Sequence, residues 1–189
     1  ILSGLVGSEM CIRDRYVGGI LYRLVFDNFV NMVTDSLNDL NWFDENRGHK
    51  PLKIYPEPID ENTAFDSNAM SISMEDIIEM EAEMGSMLSE HSFHMYIDVY
   101  GENNVVAMHL ASDIKEILQG RFTSIGRDNP VFDVYDLSHA TPEFLFYCEI
   151  EEVELDRSRF HSKPYEKYWW VVSCIVTYTY NNDAEDYLI

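Results

Sequence analysis

Phe93-His94-Met95-Tyr96-Ile97-Asp98-Val99-Tyr100 places Phe, Met, Ile and Val at every second position. Successive side chains of a β-strand point to opposite faces, so this period of two predicts a half-buried strand with Phe93, Met95, Ile97 and Val99 inward. Directly after it the period changes. Val106, Leu110, Ile114 and Ile117 recur at three and four residues, the spacing of one helical face, and Gly120 stands where a C-terminal cap belongs.

Working outward, residues 20–40 carry Leu21, Leu24, Val25, Phe29, Met32, Val33, Leu37 and Leu40 at the same helical spacing. They predict an amphipathic helix of about 30 Å at ~1.5 Å per residue. Asn41, Asp44 and the breaker run from Arg47 to Pro51 end it. Residues 52–55 read as a short strand stopped by Pro56 and Pro58, and residues 59–68 as a polar surface loop. Met70 and Ile72 alternate with serines, which suggests another short strand. Residues 74–89 fit either a short acidic helix or a loop feeding a strand across 79–87, and the second is preferred for the later half. Residues 131–137 are strand-like. Residues 144–155 and 168–180, rich in Val, Ile, Tyr and Trp, predict a hairpin joined by a polar loop at 156–164.

The order is helix, three short strands, helix, three strands. It predicts an α+β fold, an antiparallel or mixed β-sheet with two amphipathic helices packed on one face. Residues 16–180 make one domain in this reading, and residues 181–189 a flexible C-terminal tail.

Among 189 residues, 34 are Asp or Glu and 13 are Lys or Arg, for a formal charge of −21 at pH 7. A hydrophobic fraction of 46% with 13% aromatics excludes wholesale disorder despite that charge. Such acidity repels a phosphate backbone and argues against tight binding of bare DNA. It fits plain solubility, an acidic channel wall past which DNA slides, or a mimic of DNA. Cys148 and Cys174 fall in apolar strand-like runs and read as two buried free thiols rather than a disulfide. There is no C-x-x-C pair and no stretch long enough to span a bilayer, which fits a reducing cytoplasm.

Motifs with chemistry are few. His91 and His94, three apart on a strand, point to opposite faces and cannot chelate one ion together. His109 has Asp113 as its i+4 partner, so a helix-surface ion pair is expected there rather than a metal site. Glu149, Glu151, Glu152 and Glu154 share one strand and read as a solvated or edge-guarding face before an acidic catalytic one. Asp60, Asn62, Asp66 and Asn68 faintly suggest a calcium loop but lack its sixth-position Gly and its twelfth-position Glu, which is Ser71 here. No nucleophile elbow, phosphate-cradling loop or dinucleotide fingerprint occurs. Trp169 and Trp170 could stack bases, but no basic groove accompanies them. As strand neighbours they face opposite ways, one expected in the core and one exposed at an interface or sheet edge. No catalytic residue, metal or cofactor is expected.

Several segments resemble the tail terminator (tail completion) proteins of long-tailed bacteriophages. They are Leu40-Asn-Trp-Phe-Asp44, Arg47-Gly-His-Lys-Pro51, Ile54-Tyr-Pro-Glu57, Met84-Gly-Ser86 and Tyr96-Ile-Asp-Val-Tyr-Gly-Glu102. Further along come His109-Leu-Ala-Ser-Asp-Ile114, Gln119-Gly-Arg121, Ile125-Gly-Arg-Asp128, Val134-Tyr-Asp136 and Lys163-Pro-Tyr-Glu-Lys-Tyr-Trp-Trp170. Each is short and carries no chemistry of its own. The resemblance implies a small α+β protein that forms a hexameric ring on the last ring of tail-tube subunits. Its partners would be itself, the tail tube protein and the head–tail connector protein, in a virion neck assembled in the host cytoplasm. DNA would pass through without specific binding, an acidic lumen repelling it, with the Glu and Asp of the middle loop as candidate lining. Arg47, His49, Lys50, Trp169 and Trp170 are the candidate interface residues. This chain departs from the pattern in its long acidic middle, residues 60–83, and in its start.

That start, LVGSEMCIRD at residues 5–14, resembles a translated sequencing adapter, so residues 1–15 are expected to be an artefactual leader without function. The competing readings are another head–tail connector or neck protein, an acidic DNA-mimic inhibitor, and last a metal-dependent nuclease using Asp133, Asp136 and Glu149.

Overall fold

The computed structural model describes residues 19–44, 48–55, 68–81, 88–120, 130–138, 140–157 and 169–181. Helix α1 spans Gly19–Asp39 and helix α2 spans Asn104–Leu118. The strands are β1 (Leu52–Tyr55), β2 (Asn68–Glu81), β3 (Leu88–Tyr100), β4 (Val131–Asp136), β5 (Glu143–Arg157) and β6 (Trp169–Asn181). They form one six-stranded sheet in the order β1-β2-β3-β6-β5-β4. β1 runs parallel to β2 and every other pairing is antiparallel, so the sheet is mixed. The α+β class expected from the order of elements is the observed one.

The alternation in β3 does what its period dictates. Phe93, Met95, Ile97 and Val99 are wholly buried. Val176, Cys174 and Val172 of β6 sit opposite the first three, and Met70 and Ile72 of β2 sit opposite Val99 and Ile97. Phe132, Val134, Cys148 and Ile150 extend the same apolar face across β4 and β5. Both helices cover that face. From α1 come Leu21, Val25, Phe29, Val33 and Leu37, a strict i, i+4 row that shares one core with Leu110, Ala111, Ile114 and Leu118 of α2. The rings of Phe29 and Phe132 meet edge to face at 5.7 Å. Truncating a wholly buried Phe of this kind costs about 3–5 kcal/mol, the lost transfer energy plus the cavity.

Helix ends are closed by local chemistry. Asn103 caps α2, its side-chain oxygen accepting from the N–H groups of Val105 and Val106 at 3.0 Å. At the other end Gly120, at φ 67°, donates its N–H to Ile117, as the sequence position of that glycine predicted. α1 ends in a Schellman motif: Trp42 N–H bonds Leu37 O, Asn41 N–H bonds Asn38 O, and Asn41 takes the left-handed conformation at φ 59°. Gly101 joins β3 to α2, and a Cβ there would lie 2.5 Å from the backbone N of Ala107. Only glycine admits that approach.

Two buried asparagines hold non-local backbone. Asn28 on α1 donates to Tyr135 O at 2.9 Å and accepts from Tyr135 N–H at 3.2 Å, binding the edge strand β4 to the helix. Asn68, wholly buried, donates to Lys50 O and accepts from Glu102 N–H, tying the approach to β1 to the exit from β3. The residue that ended the faint calcium-loop pattern is thus a structural clamp.

Four expectations need correction. The strands before α2 are not all short, since β2 and β3 have 14 and 13 residues. Residues 74–78 are neither helix nor loop but belong to β2, which runs on into the strand expected from residue 79 as far as Glu81, through a bulge between Glu75 and Ile78 that absorbs the break in alternation. The acidic middle is accordingly not one loop, because Asn68–Glu81 is strand, while residues 60–67 and 82–83 lie outside the described residues. β6 also takes in Asn181, the first residue of the expected tail. The 1–15 leader and residues 182–189 lie outside the described residues.

Candidate functional site

With both helices on one face of the sheet, the other face is built from the alternate residues. Register gives its rows directly. Glu75, His94, Ile175 and Glu151 form one row across β2, β3, β6 and β5. Ser73, Tyr96, Ser173 and Glu154 form the next, and Ser71, Asp98, Val171 and Asp156 the third. Tyr100 and Trp169 close the series, stacked at 5.4 Å and 16°. The β5 flank is thus all carboxylate, the β2 flank holds Glu75 with Ser73 and Ser71, and the centre mixes aromatic, aliphatic and polar side chains. His94, Tyr96, Asp98, Tyr100, Trp169, Val171 and Ile175 are all half-buried. The face closes towards β1, where Ala69 and Ser71 are buried.

The carboxylates of β5 reach one face because of a bulge. Glu151 opposes Ile175 and Glu154 opposes Ser173, so Glu152 and Val153 together oppose Cys174. Glu152 absorbs the extra residue at φ 48°. Val153 and Leu155 stay packed on the core while Glu154 and Asp156 stay on the face away from the helices. The doublet Glu151-Glu152, where alternation breaks, is the sequence signal for this bulge.

Asp98 is the most perturbed carboxyl of the face. Burial raises its pKa first, and the nearby Glu75 raises it further, against the lowering effect of the Trp169 indole N–H donated to it at 2.9 Å. The Tyr100 phenol is also pushed up, by burial and then by the charge of Asp98. Where β5 leaves β6, a cleft of about 290 Å³ opens, lined by Glu90, Glu149, Glu151, Phe146 and Tyr178 among others. Tyr178 forms its floor, stacked on His91 at 4.9 Å and on Phe146 at 5.0 Å.

The candidate interface residues are dispersed. Trp169 and Trp170 do face opposite ways, but neither is wholly core or wholly exposed. Trp169 lies on the face away from the helices, and Trp170 packs against the rim of the core on the other. His49 and Lys50 do not act as one basic patch. The His49 ring stacks on Trp42 at 4.5 Å with its Nδ1 2.9 Å from Lys50 O, while Lys50 is exposed. Arg47 lies outside the described residues. The expected His109–Asp113 pair is not the arrangement found. Asp113 instead accepts the Trp42 indole N–H at 2.8 Å, a bond across 71 residues that no local spacing foretells.

His91 and His94 take opposite faces, His91 buried beside the hydroxyl of Tyr22 and His94 on the side away from the helices. Cys148 and Cys174 are buried free thiols; burial pushes the Cys174 thiol up to about 12 and raises that of Cys148 as well. Neither is poised to react. Asp133, Asp136 and Glu149 do not converge. Asp136 opposes Glu143, six residues along β5 from Glu149, and its carboxylate accepts from the Ser138 N–H at 2.8 Å. Asp133 takes the hydroxyl of Tyr135 at 3.1 Å, which holds that phenol's pKa up. Among the described residues no group of three or more His, Cys, Asp or Glu is arranged to hold a metal ion. Nor, among them, is any helix long and apolar enough to cross a membrane. The chain matches no protein-family model and no curated protein in sequence.

Proposed function

We propose that this chain is a non-enzymatic structural protein of a long-tailed bacteriophage, a tail terminator. It caps the tail tube, ends tube polymerisation and forms the head–tail joining surface, as a ring of identical subunits in the virion neck. One observation carries the reading most. Segments that resemble the terminator family, far apart in sequence, pack on one another. Trp42 of the first segment stacks on His49 of the second and bonds Asp113 of a later one. Asn68 then joins the second segment, at Lys50, to Glu102 at the end of the 96–102 segment. The short motifs are therefore parts of one packed unit, which is compatible with the resemblance.

The charge supports the same reading. A ring that passes DNA without holding it needs walls that repel phosphate, and a net −21 with a carboxylate-flanked sheet face meets that need. The test is assembly. The full chain is examined by native mass spectrometry and negative-stain electron microscopy, alone and added to growing tail-tube protein. Rings of defined stoichiometry and tubes stopped and capped at one end are expected. A monomer that leaves tube growth unchanged overturns the proposal.

A further inference from the structure

We propose that, whatever the larger assembly, the outer edge of β4 takes up an extended, basic segment of a partner protein as a further strand of the six-stranded sheet. In a strand the N–H and C=O of one residue point to one side, and those of the next residue to the other. Pro130 O faces β5, where it accepts the Ile150 N–H at 2.9 Å, so Phe132 and Val134 face β5 too. Val131, Asp133 and Tyr135 therefore turn their backbone groups outward. Tyr135 agrees, since Asn28 of α1 takes both of its groups from that side. Among the described residues nothing bonds the N–H or C=O of Val131 or Asp133 there. Val131 is half-buried and Asp133 exposed. The open length ends where Asn28 closes the edge, and it offers donors and acceptors in one line.

Backbone groups select an extended chain, and charge selects which one. Residues 130–156 hold eight Asp or Glu and no Lys or Arg, and Asp133 stands within the open length. Opposite charges directly across two strands favour pairing, and like charges oppose it. Edge strands are commonly guarded by charge and by short length. Here the guard has one sign, so it turns away acidic chains and admits basic ones. A second copy of a chain with charge −21 would set like against like. A Lys or Arg opposite Asp133 would instead pair with it, while the main-chain bonds to Val131 and Asp133 supply the affinity, as in other cases of strand addition.

The test uses the full chain and fluorescein-labelled peptides of about seven residues, the length of an ordinary strand. One alternates Lys and Val, one is the same peptide N-methylated at its Lys residues, and one alternates Glu and Val. Anisotropy reads binding, and amide hydrogen exchange locates it. In the free chain the amides of Val131 and Asp133 should exchange fast beside protected ones at Phe132 and Val134. The Lys/Val peptide is expected to bind and to protect Val131 and Asp133. N-methylation should weaken it about tenfold or more, because it removes the donors that face β4. Val131→Pro removes an outward N–H and no bond to β5, a placement that an edge strand tolerates, and should weaken the Lys/Val peptide about fivefold. Circular dichroism verifies that this variant folds, and the peptide series stands without it. Equal binding of the N-methylated peptide means attraction of charge alone and overturns the proposal. So does equal binding of the Glu/Val peptide, or no binding of the Lys/Val one. Protection of Val131 and Asp133 in the free chain overturns it too: if it fades on dilution a second copy holds the edge, and if it persists the chain itself does.

Discussion

Asp98 and Glu152 are the residues that the fold holds against their own preference. Asp98 has its pKa raised chiefly by burial. Below the unfolded value of about 3.9 it is protonated in both states, and its contribution to stability is then at its most favourable. As pH rises through the folded pKa that contribution is lost, because the folded state must ionise a desolvated group. Asp98→Asn keeps an oxygen acceptor for the Trp169 indole and removes the charge. The variant should therefore be more stable than the parent at pH 7, with the gap closing as pH falls towards about 4. Urea titrations across that range measure it, and a pH-independent difference would contradict the account. Glu152 is a non-glycine residue in the left-handed region, which costs an L-residue about 1–2 kcal/mol. Glu152→Gly removes that strain but adds unfolded-chain entropy, so a net gain of about 0.5–1 kcal/mol is expected by thermal or chemical denaturation.

At the scale of elements, the weakest attachment is at the edges of the sheet. β4 pairs with β5 on one side, and on the other it is held by Asn28 bonding both backbone groups of Tyr135. Asn28→Ala leaves a buried backbone donor and acceptor unpaired, a loss of about 1–3 kcal/mol. Hydrogen exchange should show the damage concentrated in β4 and its hairpin with β5, while β3 and β6 at the centre keep their protection. Uniform loss across all strands would mean that Asn28 acts on the core rather than on the edge.

For the whole molecule, the net charge is an unfavourable influence spread over the chain rather than placed in any single contact. A net −21 repels itself in the compact state, and salt screens that repulsion over about 10 Å at 0.1 M. Raising NaCl from about 0.02 M to about 0.5 M should lift the melting temperature by roughly a few degrees, the direction set by screening of like charges. A falling melting temperature would mean that specific ion pairs outweigh the net repulsion. The same repulsion bears on assembly. If the proposed ring assembly holds, its formation should be favoured at higher salt.

Periodicity alone determined most of the fold. The i, i+4 row of α1, the alternation of β3 and the capping position of Gly120 were legible because each depends on neighbours within a few residues of chain. The buried free thiols were legible for the same reason, as apolar runs bury what lies in them. The bulges in β2 and β5 were visible only as breaks in alternation, and their outcome depended on the partner strand holding its register. Tertiary structure alone decided the rest. That Asp113 serves Trp42 rather than His109, that Asn28 and Asn68 clamp distant backbone, and that four strands align their carboxylates and apolar residues into rows are facts of juxtaposition. Local spacing specifies which face a side chain takes, but only packing between remote segments specifies what it meets there.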